Sequence, residues 1–377
     1  MNEPAPASHT ASPTPADPVV APAVFNPQQV RQLQSVEMGR GLLACRFDPT
    51  GKYIVASGMN VQVSQLEVNF TTPATPLHVE GHKSWVAALA FTPDGTRLCS
   101  ADYTGLVHCW AFPFPDATLQ PAWSQPAHRG WVRAMAISPD GKLLATCGND
   151  IAVRLWSVSD GAAVAELKGH DCDVYSVAFH PAGRHLVSGD LKGIVKQWDL
   201  SDHKCVRDLD AKQMFVQQDN IRLGGVRGMQ FNATGSILAC TGMSGFGSIG
   251  DGIGSATVLL FDWEQGRLTH TLLPTESTRS FANGAAFFPD DVLMAATGGL
   301  DRGFLLFWKP GPANPLPEVP QDQPVAAITP AVEQPKRVDS FFRFAMAETG
   351  WAMDMHPDGR HFAAAHHDQQ LRFFDFG

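Results

Sequence analysis

Hydrophobic and polar positions alternate in short runs along most of the chain, and the same arrangement returns seven times. In each copy an alternating apolar run leads into a turn that resembles Phe-x-Pro-Asp-Gly. The copies occupy residues 44–51, 88–95, 134–141, 176–183, 228–235, 285–291 and 353–359. Alternation with a period of two, bounded by Pro, Asp and Gly, indicates β-strands joined by tight turns. The chain is therefore predicted to be built from internal repeats.

Each repeat continues with a second apolar strand and then with a third strand, which ends in an aromatic residue in six of the copies. The closing aromatic residues are Trp110, Trp156, Trp198, Phe261, Trp308 and Phe374. A weaker fourth strand follows, as in 164–170 and 267–273. Four strands in a unit of about 40–45 residues are typical of propeller blades. The sequence thus predicts an all-β fold, a seven-bladed β-propeller of four-stranded antiparallel blades.

The two ends of the repeat array are predicted to join. The seventh repeat stops after its third strand, and a strand-like segment at 29–36 precedes the first repeat. Pairing of 29–36 with 370–376 would complete the last blade and close the ring, leaving no unpaired edge. The expected organisation has four parts: a disordered Pro/Ala-rich leader (1–28), the propeller (29–377), a Gly-rich hairpin insertion in blade 5 (244–256) and a Pro-rich loop between blades 6 and 7 (310–335). The outer strand of blade 6 is expected to resume near 338–347.

Composition narrows the possible partners and compartments. Lys and Arg total 28 against 37 for Asp and Glu, a net charge of −9, which disfavours a nucleic-acid-binding protein because that affinity needs clustered cations. No apolar run approaches the ~18 residues that a membrane helix requires. The seven cysteines show no CxxC spacing, which is typical of free thiols in a reducing compartment. We therefore expect a cytoplasmic protein without nucleic-acid or membrane partners and without a cofactor.

Across residues 29–377 these repeats resemble those of the WD-repeat (Gβ-like) seven-bladed β-propeller proteins. The resemblance is carried by Gly81-His82, Ala127-His128 and Gly169-His170 ahead of the first strands, by the Asp-Gly turns and by the closing aromatic residues. Only Trp198-Asp199 shows the name-giving dipeptide. The resemblance implies a buried chain of hydrogen bonds in each well-formed blade, which runs through His, Asp, Ser or Thr, and Trp.

Three blades supply the residues for such a chain. They are His128, Thr146, Asp150 and Trp156 in blade 3, His82, Ser100 and Trp110 in blade 2, and His170, Ser188 and Trp198 in blade 4. Thr104 and Lys192 stand at the positions that match Asp150. The set in blade 3 contains the residue types of a hydrolase triad, but equivalent positions recur in neighbouring blades, whereas an active site occurs once. The structural interpretation is therefore preferred, and no catalytic residue is predicted.

The resemblance also implies that partners dock around the rim of the central channel. The predicted binding face consists of Trp85, Trp131, Arg133, Asn149, Asp173, Tyr175, Arg227, Phe281, Asn283, Trp351 and His367. Trp, Tyr and Arg are the residues most enriched in interaction hot spots; for Trp85 and Trp131, packing at the top of the channel is the alternative. The expected function is a non-catalytic scaffold that binds a protein or peptide, either as a monomer or within a larger complex.

The rival hypothesis is a propeller enzyme, or a small-ligand or metal binder, that uses the central channel. Such a site needs several converging acids or metal ligands, and the predicted inner strands offer only Asp354. No metal site is predicted, because His180/His185 and His356/His361 occupy equivalent positions in sibling repeats. Residues 245–250 match a dinucleotide fingerprint but lie within a β-hairpin, which favours a plain loop. The PxxP pattern at 312–315 and 317–320 leaves both a spacer and a recognition element open.

Overall fold

A computed structural model describes residues 26–218, 221–245, 254–276, 278–288, 292–299, 303–312, 335–346 and 348–376. Its strands form seven sheets arranged as blades, each with an inner strand beside the channel and an outer strand at the periphery. Blades 1 to 3 consist of β2 (Leu42–Phe47), β3 (Tyr53–Gly58), β4 (Gln62–Glu67) and β5 (Leu77–Glu80), then β6 (Val86–Phe91), β7 (Arg97–Asp102), β8 (Leu106–Ala111) and β9 (Trp123–Pro126), then β10 (Val132–Ile137), β11 (Leu143–Gly148), β12 (Val153–Ser157) and β13 (Ala163–Leu167).

The remaining blades are longer or carry additions. Blade 4 consists of β14 (Val174–Phe179), β15 (His185–Asp190), β16 (Ile194–Asp199) and β17 (Cys205–Asp210), and it is followed by a separate hairpin of β18 (Phe215–Gln218) and β19 (Ile221–Gly224). Blade 5 has β20 (Gly228–Phe231), β21 (Ile237–Ser244), β22 (Ser255–Asp262), β23 (Arg267–Leu273) and β27 (Lys336–Asp339); blade 6 has β24 (Ser280–Phe287), β25 (Leu293–Gly299), β26 (Phe304–Trp308) and β28 (Phe342–Ala345). Blade 7 has β29 (Gly350–Met355), β30 (His361–His366), β31 (Gln370–Asp375) and β1 (Arg31–Glu37). Short 3-10 helices occupy Pro27–Gln29 and Lys212–Met214.

The blades form a closed ring, which confirms the predicted seven-bladed propeller. Each inner strand contacts the inner strand of the next blade, and β29 of the last blade contacts β2 of the first. The N-terminal β1 pairs antiparallel with β31, from Arg31 opposite Asp375 to Glu37 opposite Gln370. The strand that begins the chain therefore completes the sheet that ends it.

The hydrophobic core lies between adjacent blades. The second strands are buried along almost their whole length, because neighbouring blades cover both faces of each sheet. Between blades 2 and 3, for example, Cys99 and Ala101 pack in one cluster with Leu144 and Trp156. All seven cysteines are free, and six of them are buried; Cys205 is exposed.

The recurring turns need glycine for a backbone reason. Glycines at six of the repeat anchors adopt φ between +69° and +75°, a left-handed conformation that disfavours other residues. At Gly51 a side chain would also collide with the ring of His356, which occupies the space that a Cβ atom would need. His356 Nε2 donates to the Gly51 carbonyl oxygen at 3.0 Å, which ties blade 7 to blade 1.

Two parts of the architecture differ from the sequence expectation. The hairpin β18–β19 occupies the connection between blades 4 and 5, where the sequence analysis predicts no strands. The strand β27 is a fifth strand of blade 5 and runs parallel to β23. It satisfies the edge of that blade before the chain crosses to β28, which is the outer strand of blade 6 as expected.

Several predicted segments fall largely outside the described residues: the leader apart from 26–28, the tip of the Gly-rich hairpin and most of the Pro-rich loop. Within the described part of the chain, no helix is long and apolar enough to cross a membrane.

Candidate functional site

Blades 2, 3 and 4 each contain a buried chain of hydrogen bonds at the positions that the sequence indicated. In blade 3, His128 Nε2 lies 2.8 Å from Thr146 Oγ1, and Trp156 Nε1 donates to the same oxygen at 2.9 Å. The other ring nitrogen of His128 lies 2.7 Å from Asp150 Oδ1. The corresponding histidine–hydroxyl and tryptophan–hydroxyl distances are 2.7 and 2.8 Å both for His82, Ser100 and Trp110 and for His170, Ser188 and Trp198.

The direction of these bonds follows from the donor inventory. A carboxylate only accepts, so His128 Nδ1 carries the proton toward Asp150 and leaves Nε2 as an acceptor. The hydroxyl of Thr146 then donates to Nε2 while it accepts from Trp156. Burial alone raises the pKa of Asp150, but hydrogen bonds from His128 and Arg154 hold that pKa below its usual range. These hydrogen bonds form a polar core within the blade and leave no open position for a substrate.

The carboxylate in blades 2 and 4 comes from a position that the repeat alignment missed. Asp102 Oδ2 lies 3.2 Å from His82 Nδ1, and Asp190 Oδ2 lies 2.8 Å from His170 Nδ1. Both aspartates end the second strand of their blade, two residues before Thr104 and Lys192. The signal was present in the spacing, because each aspartate follows its histidine by 20 residues, against 22 in blade 3.

A second group of residues surrounds one end of the channel, where the inner strands begin. We call this end the channel mouth, and its principal side chains are Trp85, Tyr103, Trp131, Arg133, Tyr175, Arg227, Phe281 and Trp351. The three tryptophans are the most exposed of these, with 44% of Trp85, 41% of Trp131 and 42% of Trp351 accessible to solvent. Nine predicted binding-face residues come from the first half of an inner strand or from the position just before it, which explains why repeats far apart in sequence meet here.

Seven of these side chains form one continuous row of stacked rings and guanidinium groups. The row runs from blade 2 to blade 6, and its members touch in sequence order. Its ring-centroid or guanidinium-to-ring distances are Trp85–Tyr103 5.9 Å, Tyr103–Trp131 4.2 Å, Trp131–Arg133 4.4 Å, Arg133–Tyr175 4.9 Å, Tyr175–Arg227 4.6 Å and Arg227–Phe281 4.6 Å. Contacts between cations and ring faces within about 6 Å are attractive, so each member restrains the next.

Tyr103 is the member of the row that the sequence did not predict. It lies in the turn after β7, and its ring is nearly parallel to that of Trp131, at 6°. The prediction considered inner-strand starts and the residue before the turn aspartate, and blade 2 has Thr104 in place of that aspartate. Tyr103 precedes Thr104 and is thus the equivalent of Asn149 in blade 3, and this position in the repeat was the available signal.

The other predicted face residues lie beside the row or outside it. Asn149 accepts a hydrogen bond from Arg133 Nε at 2.6 Å, and Asn283 donates to the Gly350 carbonyl oxygen at 3.1 Å. Asp173 is partly exposed and precedes β14, while His367 is exposed in the turn between β30 and β31. These residues thus belong to the same face without contributing rings to the row.

The mouth opens into a cavity of about 430 Å³ along the channel. Arg46, Arg133 and Arg227 line it, and Asp354 is the single acidic residue in that lining among the described residues. Asp354 Oδ2 accepts from the Phe47 backbone N–H at 2.8 Å, and its other oxygen lies 3.6 Å from Arg46 Nη1. Burial raises the pKa of Asp354, and Arg46 opposes that rise. One acid held in this way does not form the converging set that a channel enzyme needs.

A histidine–aspartate cluster lies at the opposite face. Asp358 Oδ2 lies 2.7 Å from His361 Nδ1 and 2.9 Å from His356 Nδ1. In blade 4, His180 makes the same bond to the next blade, with Nε2 3.1 Å from the Gly235 carbonyl oxygen, although Ala182 replaces the aspartate. Because His180 makes this bond without a neighbouring carboxylate, we interpret His356 in the same way, as a link between two blades.

Comparison with known proteins finds a family model that matches three stretches of the chain. The family model described as "WD domain, G-beta repeat" matches residues 74–111, 119–157 and 161–199. Each matched stretch contains the outer strand of one blade or its approach and then three strands of the next. The sequence repeat is therefore offset by one strand from the structural blade, which is the arrangement that lets β1 close the ring.

Similar proteins are nuclear distribution proteins of fungi. PAC1 of Arthroderma otae is 26% identical over 170 residues, which cover 45% of this chain and 31% of the relative. PAC1 of Trichophyton verrucosum is 24% identical over the same length, and nudF 1 of Talaromyces marneffei is 39% identical over 74 residues, 19% of this chain and 16% of the relative. The matched part spans less than a third of each relative.

Proposed function

This chain is a WD-repeat β-propeller of seven blades, and we propose that it is a non-catalytic scaffold that binds a protein or peptide partner at the channel mouth. Its similarity to nuclear distribution proteins supports a role in a multi-protein process. The fold alone does not determine the function, because propellers of one architecture serve many unrelated tasks. The proposed function therefore names a binding face and a kind of partner.

The observation that carries the proposal is the row of stacked side chains at the mouth. Three tryptophans stay more than 40% exposed there, although apolar rings gain free energy when they leave water. Arg133 and Tyr103 stack on Trp131, and Tyr103 packs against Trp85, so little conformational entropy would be lost when these two rings bind a partner. A rigid, amphipathic and partly hydrated surface of this kind has the composition of a binding hot spot.

Other features support the same function. The histidine–hydroxyl pairs of blades 2 to 4 are used by the polar core of each blade, and Asp354 is held by Phe47 and Arg46. The net charge of −9 favours a protein partner over a nucleic acid. Seven free cysteines suit a reducing, cytoplasmic setting. The proposed working unit is a monomer or one subunit of a larger complex.

The proposal predicts that Trp131→Ala and Trp351→Ala each weaken partner binding by about 30-fold, the equivalent of roughly 2 kcal/mol for a hot-spot residue. A partner would first be identified by affinity purification with cross-linking and mass spectrometry. Its dissociation constant would then be measured by titration calorimetry with the purified partner and each variant.

Phe341→Ala is the matched control, because Phe341 is an aromatic residue with 51% exposure that lies between β27 and β28, outside the channel mouth. Binding to this variant should stay within about twofold of wild type. Unchanged affinity in both tryptophan variants, with their folds intact by circular dichroism, would contradict the proposed face.

A further inference from the structure

The two arginines in the row at the channel mouth lack the carboxylate partners that other arginines of the propeller have. Arg154 Nη1 lies 2.8 Å from Asp150 Oδ2, and Arg360 Nε lies 2.8 Å from Asp375 Oδ1. Among the described residues, no ion pair is found for Arg133 or Arg227. Arg133 donates through Nε to the neutral amide oxygen of Asn149, and its guanidinium lies over the rings of Trp131 and Tyr175.

Of the two arginines, Arg227 has the greater need of a hydrogen-bond partner. Its guanidinium lies against both Tyr175 and Phe281, and its Nε is buried with no hydrogen-bond partner. Burial, and with it the nearby charge of Arg133, lowers the pKa of the Arg227 guanidinium, which nevertheless stays charged at neutral pH. A buried donor on a charged group costs free energy when it is left unsatisfied.

The surroundings make this end of the channel positive within an acidic protein. The cavity lining holds three arginines against one aspartate, and that aspartate is engaged by Arg46 at the far end of the inner strands. Asp173, the acidic residue nearest in sequence to Tyr175, forms no ion pair with either guanidinium among the described residues. The charge at the mouth is therefore uncompensated.

A carboxylate is the group that this arrangement fits. Guanidinium groups bind carboxylates through two parallel N–H···O bonds, and such charge-assisted bonds are stronger than neutral ones. Stacking on Tyr175 already fixes both arginines, so binding costs little side-chain entropy. A cavity of about 430 Å³ admits a side chain or a short extended segment, whereas a folded domain has to remain on the rim.

We propose that the partner presents an acidic segment, with an Asp or Glu carboxylate bound by Arg133 and Arg227 inside the mouth and flanking apolar side chains against Trp131 and Trp351. This inference rests on the proposed function, since it names the chemistry of the partner at the same face. It assigns the tryptophans to affinity and the arginines to the choice of an acidic partner.

The test uses the full chain and three fluorescein-labelled peptides of ten residues, made only of Glu, only of Gln or only of Lys. Fluorescence anisotropy at physiological ionic strength should show binding of the Glu peptide and none of the Gln peptide. Any attraction of the Lys peptide to the net charge of −9 should not depend on Arg133 and Arg227. Arg133→Gln/Arg227→Gln should weaken binding of the Glu peptide at least tenfold. Arg133→Lys/Arg227→Lys should fall between the two, because lysine keeps the charge and loses the planar fork.

The matched control is Lys142→Gln/Arg184→Gln, which removes the same two charges from the hairpin turns at the opposite face. Its affinity for the Glu peptide should stay within twofold of wild type. Should Arg227→Gln impair folding, the single variant Arg133→Gln, in a partly exposed position, is expected to weaken binding at least threefold. Equal affinity in the mouth and control variants, or no binding of the Glu peptide to wild type, would overturn the inference.

The protein partner separates this inference from the proposed function. Sensitivity of its binding to Trp131→Ala and Trp351→Ala, with none to Arg133→Gln/Arg227→Gln, would overturn the acidic segment and leave the binding face intact. Insensitivity to all four substitutions would overturn both. A preference for a phosphoserine peptide over the Glu peptide would replace the carboxylate with a phosphate and so also count against the inference.

Discussion

Thr146→Val is expected to lower the free energy of unfolding by about 2–5 kcal/mol, because it leaves two buried polar groups of blade 3 without partners at about 1–3 kcal/mol each. The substitution keeps the shape of the side chain and removes only the hydroxyl. That hydroxyl accepts from Trp156 Nε1 and donates to His128 Nε2, and Thr146 is fully buried. No water can reach either group to replace it.

Thr146→Ser is the matched control, since serine keeps the hydroxyl and performs this role at Ser100 and Ser188 in the neighbouring blades. It should cost about 1 kcal/mol for the lost methyl group. Both variants would be compared with wild type by urea unfolding followed by tryptophan fluorescence and circular dichroism. Equal midpoints for the two variants would show that the hydroxyl carries no net stabilisation and would contradict the assignment of the polar chain.

The period of the sequence was sufficient to predict the fold because the blades repeat the same local physics. The alternating strand recurs in all seven repeats, the turn with glycine at positive φ in six of them and the strand closed by an aromatic residue in six. The missing outer strand of blade 7 and the spare segment before blade 1 then determined how the ring closes. The first step needs only residues close in sequence, whereas the closure is a long-range pairing that the two unpaired ends of the repeat array imply.

Where the sequence prediction stopped, the cause was a departure from the repeat. Asp102 and Asp190 reach their histidines from the end of a strand, whereas Asp150 does so from the turn, and alignment by position concealed this alternative route. Each residue of strand β27 pairs with a residue 66 positions earlier in the chain, such as Lys336 with His270, and no local pattern encodes a parallel partner at that distance.

The channel mouth was predicted residue by residue, but its physical character was not. Position in the repeat placed Trp131, Arg133, Tyr175 and Arg227 on one face. It could not show that these side chains stack in one row through Tyr103, or that both arginines are without an ion pair among the residues that the structure describes. Those properties depend on side-chain direction across four blades, which the ring geometry sets and the period of the sequence leaves undetermined.

Removal of residues 1–38, which include the strand that closes the ring, is expected to lower the free energy of unfolding of the propeller by at least about 5 kcal/mol. The deletion exposes the edge of β31 and removes Val30, Val36 and Met38, which are buried against blade 7 and its neighbours. Burial of side chains of this size contributes about 1.5–3 kcal/mol each. The deletion also removes Arg31, whose Nη2 lies 3.0 Å from Oδ2 of the buried Asp375 carboxylate.

A protein with a typical stability of about 5–15 kcal/mol would retain little of it after such a loss. We therefore expect the shortened chain to melt far below the full chain in calorimetry and to aggregate through the open edge.

Removal of residues 1–25 alone keeps β1 and should leave the melting temperature unchanged, which separates the closing strand from the segment before it. Addition of a synthetic peptide of residues 26–40 should restore part of the stability in proportion to its concentration, because it binds only the folded ring. A truncated chain that melts with the full chain would mean that the last blade holds without its fourth strand and that closure rests on the contacts between β29 and β2.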